Sequence, residues 1–408
     1  MDLMFDRVAA LDLAKASLTA CVRVPGPRGG RKSTTRTFVT TVGGLLVLRD
    51  WLVAERVQVV SMESTGVYWK PAYYLLEDTV ECWLLNAHQV KTVPGRKSDV
   101  KDAEWLAQLT ECGLVRPSFV PPPPIRELRN LTRYRRSLVN DLTRETQRLE
   151  KLMEDTGIKL SSVTHSLRSK SGRLMLEALI AGERDPLALA ELAQGRLRSK
   201  RSELAQALVG RFTDHHALLV TQMLARMDST QDSIEAVQAA ITDAMRPFSS
   251  QLLNLQTIPG IGPRIAEVII AETGGDMSRF PTAAHLASWA GLVPGINQSA
   301  KRRGSTRCRR GNRHLNSAMI EAARAASHTK DTYPAAQFWR LARHGTNVAA
   351  VAVGHSLLVA AWHVMHNDVP YHDLGGDYFQ RRIDPARRTR TLVAQLEALG
   401  HTVTLDAA

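Results

Sequence analysis

The chain has 408 residues, enough for two or three domains, and its 53 Lys and Arg outnumber 40 Asp and Glu. That excess favours a polyanionic partner, most often nucleic acid. The four cysteines (Cys21, Cys82, Cys112, Cys308) form no C-x-x-C pair, which argues against a disulfide framework or zinc-ligand spacing and for reduced thiols in a cytoplasmic protein. No charged segment followed by an apolar one opens the chain, so no signal peptide is expected. The most apolar stretch, Val348 to Met365, contains Gly354, His355 and His363; it reads as a buried helix, and no membrane partner is expected.

In chain order, Val8 to Leu13 is a short apolar run holding a single acid, Asp12. Leu18 to Val24 and Thr35 to Thr41 are strand candidates, with Pro25-Gly26-Pro27 and Gly29-Gly30 turning the chain between them. Leu45 to Val53 has helical spacing, Val57 to Glu63 reads as a strand broken by Ser64-Thr65-Gly66, Val67 to Leu76 as a helix and Cys82 to Leu85 as a strand. A further helix follows Asp99. Hairpins followed by alternating helices and strands predict an α/β layer with a mixed sheet over residues 1–120.

Carboxylates mark this region. Asp99 and Asp102 stand three apart at a helix start, where they can face one object; equally, Asp99 can cap the helix while Asp102 favours its dipole. Asp12 lies within an apolar strand, where an acid is costly unless paired or bound to a cation; the alternative is a solvated strand face. Glu63 ends its strand, the position at which open α/β sheets place their sites. Four carboxylates suit Mg²⁺ or Mn²⁺, and such ions can activate a nucleophile and stabilise a leaving oxygen in phosphodiester chemistry. The segments Leu11-Asp12-Leu13-Ala14-Lys15, Glu63-Ser64-Thr65-Gly66 and Lys97-Ser98-Asp99-Val100-Lys101-Asp102-Ala103 resemble those of the DEDD transposases of bacterial insertion sequences, of the insertion-sequence one-ten type. The resemblance implies a RuvC-like, ribonuclease-H-fold domain and assigns metal binding to Asp12, Glu63, Asp99 and Asp102.

Pro121 to Pro124 is a stiff break. Ile125 to Asp155 then carries leucines at helical spacing together with Arg126, Arg129, Arg133, Arg135, Arg136, Arg144 and Arg148; the arginines form either a solvated helix face or a nucleic-acid face. Residues 158–245 read as mostly helical, broken near Gly182 to Pro186 and at Gly210, with a second long helix through Leu218, Leu224, Ile234 and Ile241. An antiparallel helical hairpin or coiled coil, used for dimer contacts and RNA binding, is expected over 121–250; in the family this region is a coiled-coil connector.

The remainder, 251–408, is expected to be mainly helical. Leu255 to Ala266 is a helix-hairpin-helix signature in which Gly260 and Gly262 would let the backbone approach a phosphate, or serve simply as a packing motif. Pro294 to His314 is a glycine-spaced basic loop without aromatic residues, suited to phosphate contact through Arg302, Arg303, Arg307, Arg309, Arg310 and Arg313. A serine beside guanidinium groups could attack phosphorus, and chemistry alone leaves Ser299, Ser305 and Thr306 open, or any of them as only a hydrogen-bond donor to phosphate. The resemblance selects Ser299, because the family's nucleophile follows an Ala-Gly-Leu-x-Pro segment, here Ala290 to Pro294. Ala300 stands where the family usually has glycine. His314 either positions the phosphate or is a surface residue.

The resemblance implies a DNA transposase that cuts and rejoins donor and target double-stranded DNA through a phosphoserine, guided by a structured noncoding RNA. It also implies a homodimer assembling to a homotetramer, with acids from one protomer meeting the serine of another. Two rivals stay open: a Holliday-junction-type nuclease that uses metal-activated water, and a non-enzymatic DNA- or RNA-binding protein.

Overall fold

The computed structural model describes residues 3–26, 30–64, 66–86, 102–295, 298–299, 302–303, 308–382 and 384–405. The chain forms two compact units, Met1–Pro121 and Pro122–Ala408.

The first unit runs β1 (Val8–Leu13), β2 (Ser17–Pro25), β3 (Arg31–Val39), α1 (Val42–Ala54), β4 (Val59–Glu63), α2 (Trp69–Leu76), β5 (Glu81–Leu85) and α3 (Asp102–Glu111). The sheet order is β3-β2-β1-β4-β5. The first three strands pair antiparallel, while β1 with β4 and β4 with β5 are parallel. This is the mixed sheet expected, in the arrangement of a ribonuclease-H-like domain. Period-two alternation sends Ala9, Leu11, Val60 and Met62 to one face, where Leu45, Leu48 and Leu52 of α1 and Ala72 and Leu76 of α2 cover them. The other face presents Val8, Ala10, Val59 and Trp83 to Ala103, Leu106 and Ala107 of α3. The edge strand β3 carries Arg31, Lys32 and Arg36, charges that discourage pairing with another chain.

The second unit is built on two long helices, α4 (Pro123–Thr156) and, beyond a small helical cap, α9 (Asp214–Ala244). They run antiparallel. Arg135 bonds Gln238, Glu145 meets Arg226 at 3.8 Å and Asp155 meets His216 at 3.4 Å, so partners rise in number along one helix as they fall along the other. The cap comprises α5 (Leu160–Val163), α6 (Lys170–Ile180), α7 (Pro186–Glu191), a 3-10 turn (Gly195–Lys200) and α8 (Arg201–Ala207), and its core includes Leu160, Met175, Leu176, Leu189 and Leu204. Gly182 takes φ 102° at one of the breaks expected from sequence.

The C-terminal part adds α10 (Ser249–Gln256), α11 (Pro263–Thr273), α12 (Ala283–Trp289), the strands β6 (Gln298–Ser299) and β7 (Arg302–Arg303), α13 (Arg313–Ala326), α14 (Tyr333–Ala342), α15 (Thr346–Asn367), α16 (Tyr378–Arg381) and α17 (Pro385–Ala398). The division expected near residue 250 is not a structural one. Leu128 of α4 and Ile241 of α9 lie in one core with Leu255, Ile269, Met319 and Leu357. The apolar helix α15 is long and apolar enough to cross a membrane, with mean hydropathy 1.7. Here it lies in that core through Ala349, Val353, Leu357 and Leu358. At Gly354 a Cβ would stand 3.1 Å from the Met319 carbonyl oxygen, so α13 and α15 cross at glycine-limited distance.

Candidate active site

Asp12 and Glu63 lie side by side. In the parallel pairing of β1 with β4, Leu11 stands opposite Met62, and Asp12 and Glu63 are the next residue on each strand. Residues in register on parallel strands share a face, so both belong to the face of Ala10 and Ser61, the one α3 covers. Across β1 on the other side, Asp12 is opposite Thr19.

Helix α3 runs antiparallel to β1. Its last residue, Glu111, accepts from Arg23 at 2.7 Å, and Arg23 pairs with Val8 at the start of β1. The first residue of α3, Asp102, therefore stands at the end of the sheet that carries Asp12 and Glu63. Two contacts fix the helix there. Thr110 donates to the buried Ser61 hydroxyl at 2.7 Å, and Glu111 is held by Arg23 and by Arg31 at 3.1 Å.

Asp12 is exposed and Glu63 half-buried. The expected desolvation cost at Asp12 is thus not met, since the residue is exposed between buried Leu11 and Leu13. Asp99 lies outside the described residues. Among the described residues, no group of three or more His, Cys, Asp or Glu is close enough to hold a metal ion. Asp12, Glu63 and Asp102 lie toward one end of the sheet without forming such a group, and by donor type they are the hard carboxylates that Mg²⁺ or Mn²⁺ takes.

The basic segment expected as a loop is a β-hairpin. Gln298 pairs with Arg303 and Ser299 with Arg302, and nearer the base Pro294 bridges to Cys308. Only Ala300 and Lys301 separate the paired Ser299 and Arg302, which puts Ser299 at the turn end of β6. Ser305, Thr306 and Arg307 lie outside the described residues, as do the side chains of Ser299, Arg302 and Arg303. Arg309, Arg310 and Arg313 are exposed.

The hairpin is closed at its base by glycines. Gly291 has φ 71°, and a Cβ there would stand 2.7 Å from the Arg309 carbonyl oxygen. A Cβ on Gly311 would lie 2.3 Å from the Gly291 nitrogen. Only glycine permits this crossing. Asn312 then caps α13 by accepting from the His314 and Leu315 amides at 3.0 and 3.1 Å, and Asn316 donates to the Gly291 carbonyl at 3.1 Å.

Behind that base sits Glu272 on α11, whose side chain is 0% exposed. It receives Arg133 in a two-pronged pair at 2.8 and 2.7 Å and the Asn312 amide at 2.6 Å, with Arg129 at 3.7 Å. Burial pushes the Glu272 pKa up, but Arg133, Asn312 and Arg129 together hold it below the usual carboxylate value. Burial, then the Arg133 charge, lowers the pKa of the half-buried His314, which favours the neutral imidazole.

These contacts revise the arginine face of α4. Besides Arg133, Arg129 donates to the Ala271 carbonyl at 2.9 Å, Arg135 pairs with Glu267, and Arg136 pairs with Glu321. Arg144 and Arg148 pair with acids of α4 itself, Asp141 and Glu145. Arg129, Arg133 and Arg135 clamp the helix to α11 and Arg136 reaches α13, whereas Arg144 and Arg148 stay exposed in pairs within α4. Sequence reasoning could not find the clamp, because Glu267, Glu272 and Glu321 lie more than 130 residues from their partners.

The helix-hairpin-helix segment forms between α10 and α11. Gly260 has φ 87°, and its Cβ position would fall 2.3 Å from the Ala322 carbonyl oxygen of α13. The close approach that requires this glycine is to a helix of the same unit rather than to a phosphate. Gly262 caps α11 in extended conformation, with nothing within 4 Å of its Cβ position.

Residues 9–158 match a transposase family, the DEDD transposases of the IS110 type, and residues 253–340 match the Transposase IS116/IS110/IS902 family. Among similar proteins, an uncharacterized 43.6 kDa protein of insertion element IS110 from Streptomyces coelicolor is 29% identical over 250 residues, covering 56% of this chain and 61% of the relative. A putative transposase, y4rJ, from Sinorhizobium fredii is 30% identical, covering 45% of this chain and 40% of the relative. An uncharacterized 42 kDa protein of insertion element IS900 from Mycobacterium paratuberculosis is 27% identical, covering 68% of this chain and 73% of the relative. The match thus spans less than two thirds of the first two relatives' own length.

Proposed function

Since the chain belongs to the IS110-type DEDD transposases, we propose that it is a DNA transposase that cuts and rejoins DNA at an insertion sequence through a phosphoserine on Ser299. Support comes chiefly from one arrangement: Asp12, next to last on β1, and Glu63, last on β4, stand in register on neighbouring parallel strands, and Asp102 lies on the helix over the same face. Asp12, Glu63 and Asp102, with Asp99, would hold Mg²⁺ or Mn²⁺, which when bound neutralises charge developing on phosphate oxygens.

In the reaction, the Ser299 hydroxyl oxygen attacks phosphorus. An O–P bond forms, one P–O bond of the strand breaks, and the departing oxygen takes up a proton while the hydroxyl loses one. A hydroxyl at a strand end then attacks the phosphoserine, which restores Ser299 and joins the DNA. Guanidinium groups of the hairpin stabilise the phosphate through both steps. In this reading, a structured guide RNA selects the donor and target DNAs, and acids of one protomer meet the serine of another within a homotetramer built from two homodimers. Arg309, Arg310 and Arg313 offer exposed charge for the DNA backbone.

The test is a covalent adduct. The protein, RNA from its own locus, both DNA partners and Mg²⁺ are mixed and denatured, and nucleotide-bearing peptides are mapped. An adduct on Ser299 that disappears in Asp12→Ala supports the reading. Cut DNA with no adduct, unaffected by Ser299→Ala, refutes it and leaves a nuclease using water. Binding without any product, indifferent to Mg²⁺ and to the four acids, leaves a binding protein.

A further inference from the structure

The cap at the far end of the helical hairpin carries charge that the chemistry above does not use. Residues 157–213 hold ten Lys and Arg against five Asp and Glu, a net of +5. Much of this charge is neutralised locally. Arg173 pairs with Glu177 and Asp228, Lys159 with Glu154, Arg201 with Glu191 at 3.0 Å and Lys200 with Glu203 at 3.8 Å.

Six exposed cations remain outside any ion pair among the described residues; Arg184 is turned onto backbone carbonyls and Arg211 stands apart in sequence, which leaves Arg168, Lys170, Arg196 and Arg198. They come from two segments 26 residues apart that the fold joins. The Gln194 amide donates to the buried Ser171 hydroxyl at 2.9 Å, which pins the start of the 3-10 turn to the start of α6. Leu197 packs against the cap core, and Arg196 and Arg198 on either side of it are exposed. Arg168 and Lys170 flank Ser169, whose hydroxyl caps α6 by accepting from Gly172 at 3.1 Å. No aromatic side chain stands among these residues.

We propose that this edge of the cap is a second nucleic-acid contact, one that grips the phosphodiester backbone without reading bases. Cations held at fixed spacing with no acid opposite them release counterions when they meet phosphates. The absence of aromatic rings removes the stacking that base recognition in single strands needs. The inference rests on the nucleic-acid reading above but not on its chemistry, because binding is measured without cleavage.

The experiment uses the full chain and two fluorescent probes of unrelated sequence, a DNA duplex of about 30 base pairs and an RNA stem-loop of similar size, titrated at several salt concentrations. In the triple variant Lys170→Ser/Arg196→Ser/Arg198→Ser, affinity falls about tenfold or more near 0.1 M salt, and the salt slope drops by about one per lost contact. A loss confined to one probe assigns the surface to that nucleic acid; a loss on both assigns it to the backbone in general. The charge-keeping variant Arg196→Lys/Arg198→Lys retains affinity and slope. Unchanged binding in the triple variant overturns the proposal, as does an equal loss in the Lys-for-Arg variant. A Ser299 adduct formed alongside unchanged binding would sink this inference alone, whereas a binding loss with no adduct would sink only the strand-transfer chemistry.

Discussion

Replacing Glu272 by Gln tests the clamp behind the serine hairpin. The carboxylate is fully buried, with both oxygens engaged by Arg133 at 2.8 and 2.7 Å and one also by Asn312 at 2.6 Å. Gln keeps the size but presents an amide to two guanidinium groups. Removing one partner of a buried pair costs about 3–5 kcal/mol, because the remaining charge is left uncompensated. The Arg133 side chain is 38% exposed and can regain water, whereas Arg129 at 11% cannot fully do so. The lower end is therefore expected, about 3 kcal/mol. Urea unfolding of the full chain, followed by helical circular dichroism, measures it. The pH dependence follows from the lowered pKa. Between the folded value and the ordinary 4.5, the unfolded chain binds a proton that the folded chain refuses, so stability is lost as pH falls through that window. The gap between wild type and variant is widest above pH 4.5 and narrows below it. A loss under about 1 kcal/mol, or a gap that does not narrow in acid, would refute the clamp.

Four other outcomes are expected. Gly260→Ala drives a Cβ to 2.3 Å from the Ala322 carbonyl oxygen at φ 87° and lowers the melting temperature, whereas Gly262→Ala, with nothing within 4 Å, stays within about 0.5 kcal/mol of wild type by thermal unfolding. If the two variants melt alike, the packing role of Gly260 fails. Gly291→Ala, meeting the Arg309 carbonyl oxygen at 2.7 Å, abolishes the Ser299 adduct while helical circular dichroism is kept; a normal adduct yield would refute the crossing at the hairpin base. The His314 ring titrates by NMR with a midpoint below 6.5, and in the window below 6.5 its protonation favours the unfolded chain; a midpoint above 6.5 would contradict its burial beside Arg133. Alkylation labels the exposed Cys308 first and leaves Cys82 unlabelled, since burial pushes that thiol up to about 12, and bound DNA slows labelling at Cys308.

The strands of the first unit were legible because each carries a local signal. Val8 to Leu13 and Val57 to Glu63 are apolar runs ended by acids or turn residues, and the structure keeps β1 as expected and trims β4 to Val59–Glu63. The two long helices were equally legible, since apolar residues repeat at helical spacing along each, leucines in α4 and a mixture with Ile234 and Ile241 in α9. The basic segment was visible as composition but not as a hairpin. Its shape depends on Gly291 meeting Gly311 across twenty residues, a contact that no local pattern encodes.

What the sequence determined by itself, then, is inventory and period: which residues can carry charge, turn the chain or bury a face. Tertiary structure decided which charges meet. Arg129, Arg133 and Arg135 look like a nucleic-acid face on their own helix and become a buried clamp once α11 brings Glu267 and Glu272 against them. Asp12 looks like a costly buried acid along its strand and proves exposed between buried Leu11 and Leu13. Arg196 and Arg198 look unremarkable in sequence and join Arg168 and Lys170 only through the bond from Gln194 to Ser171. For both sets of arginines the deciding interaction is a pairing of distant residues, whose energy depends on desolvation and distance and so exists only once the chain has folded.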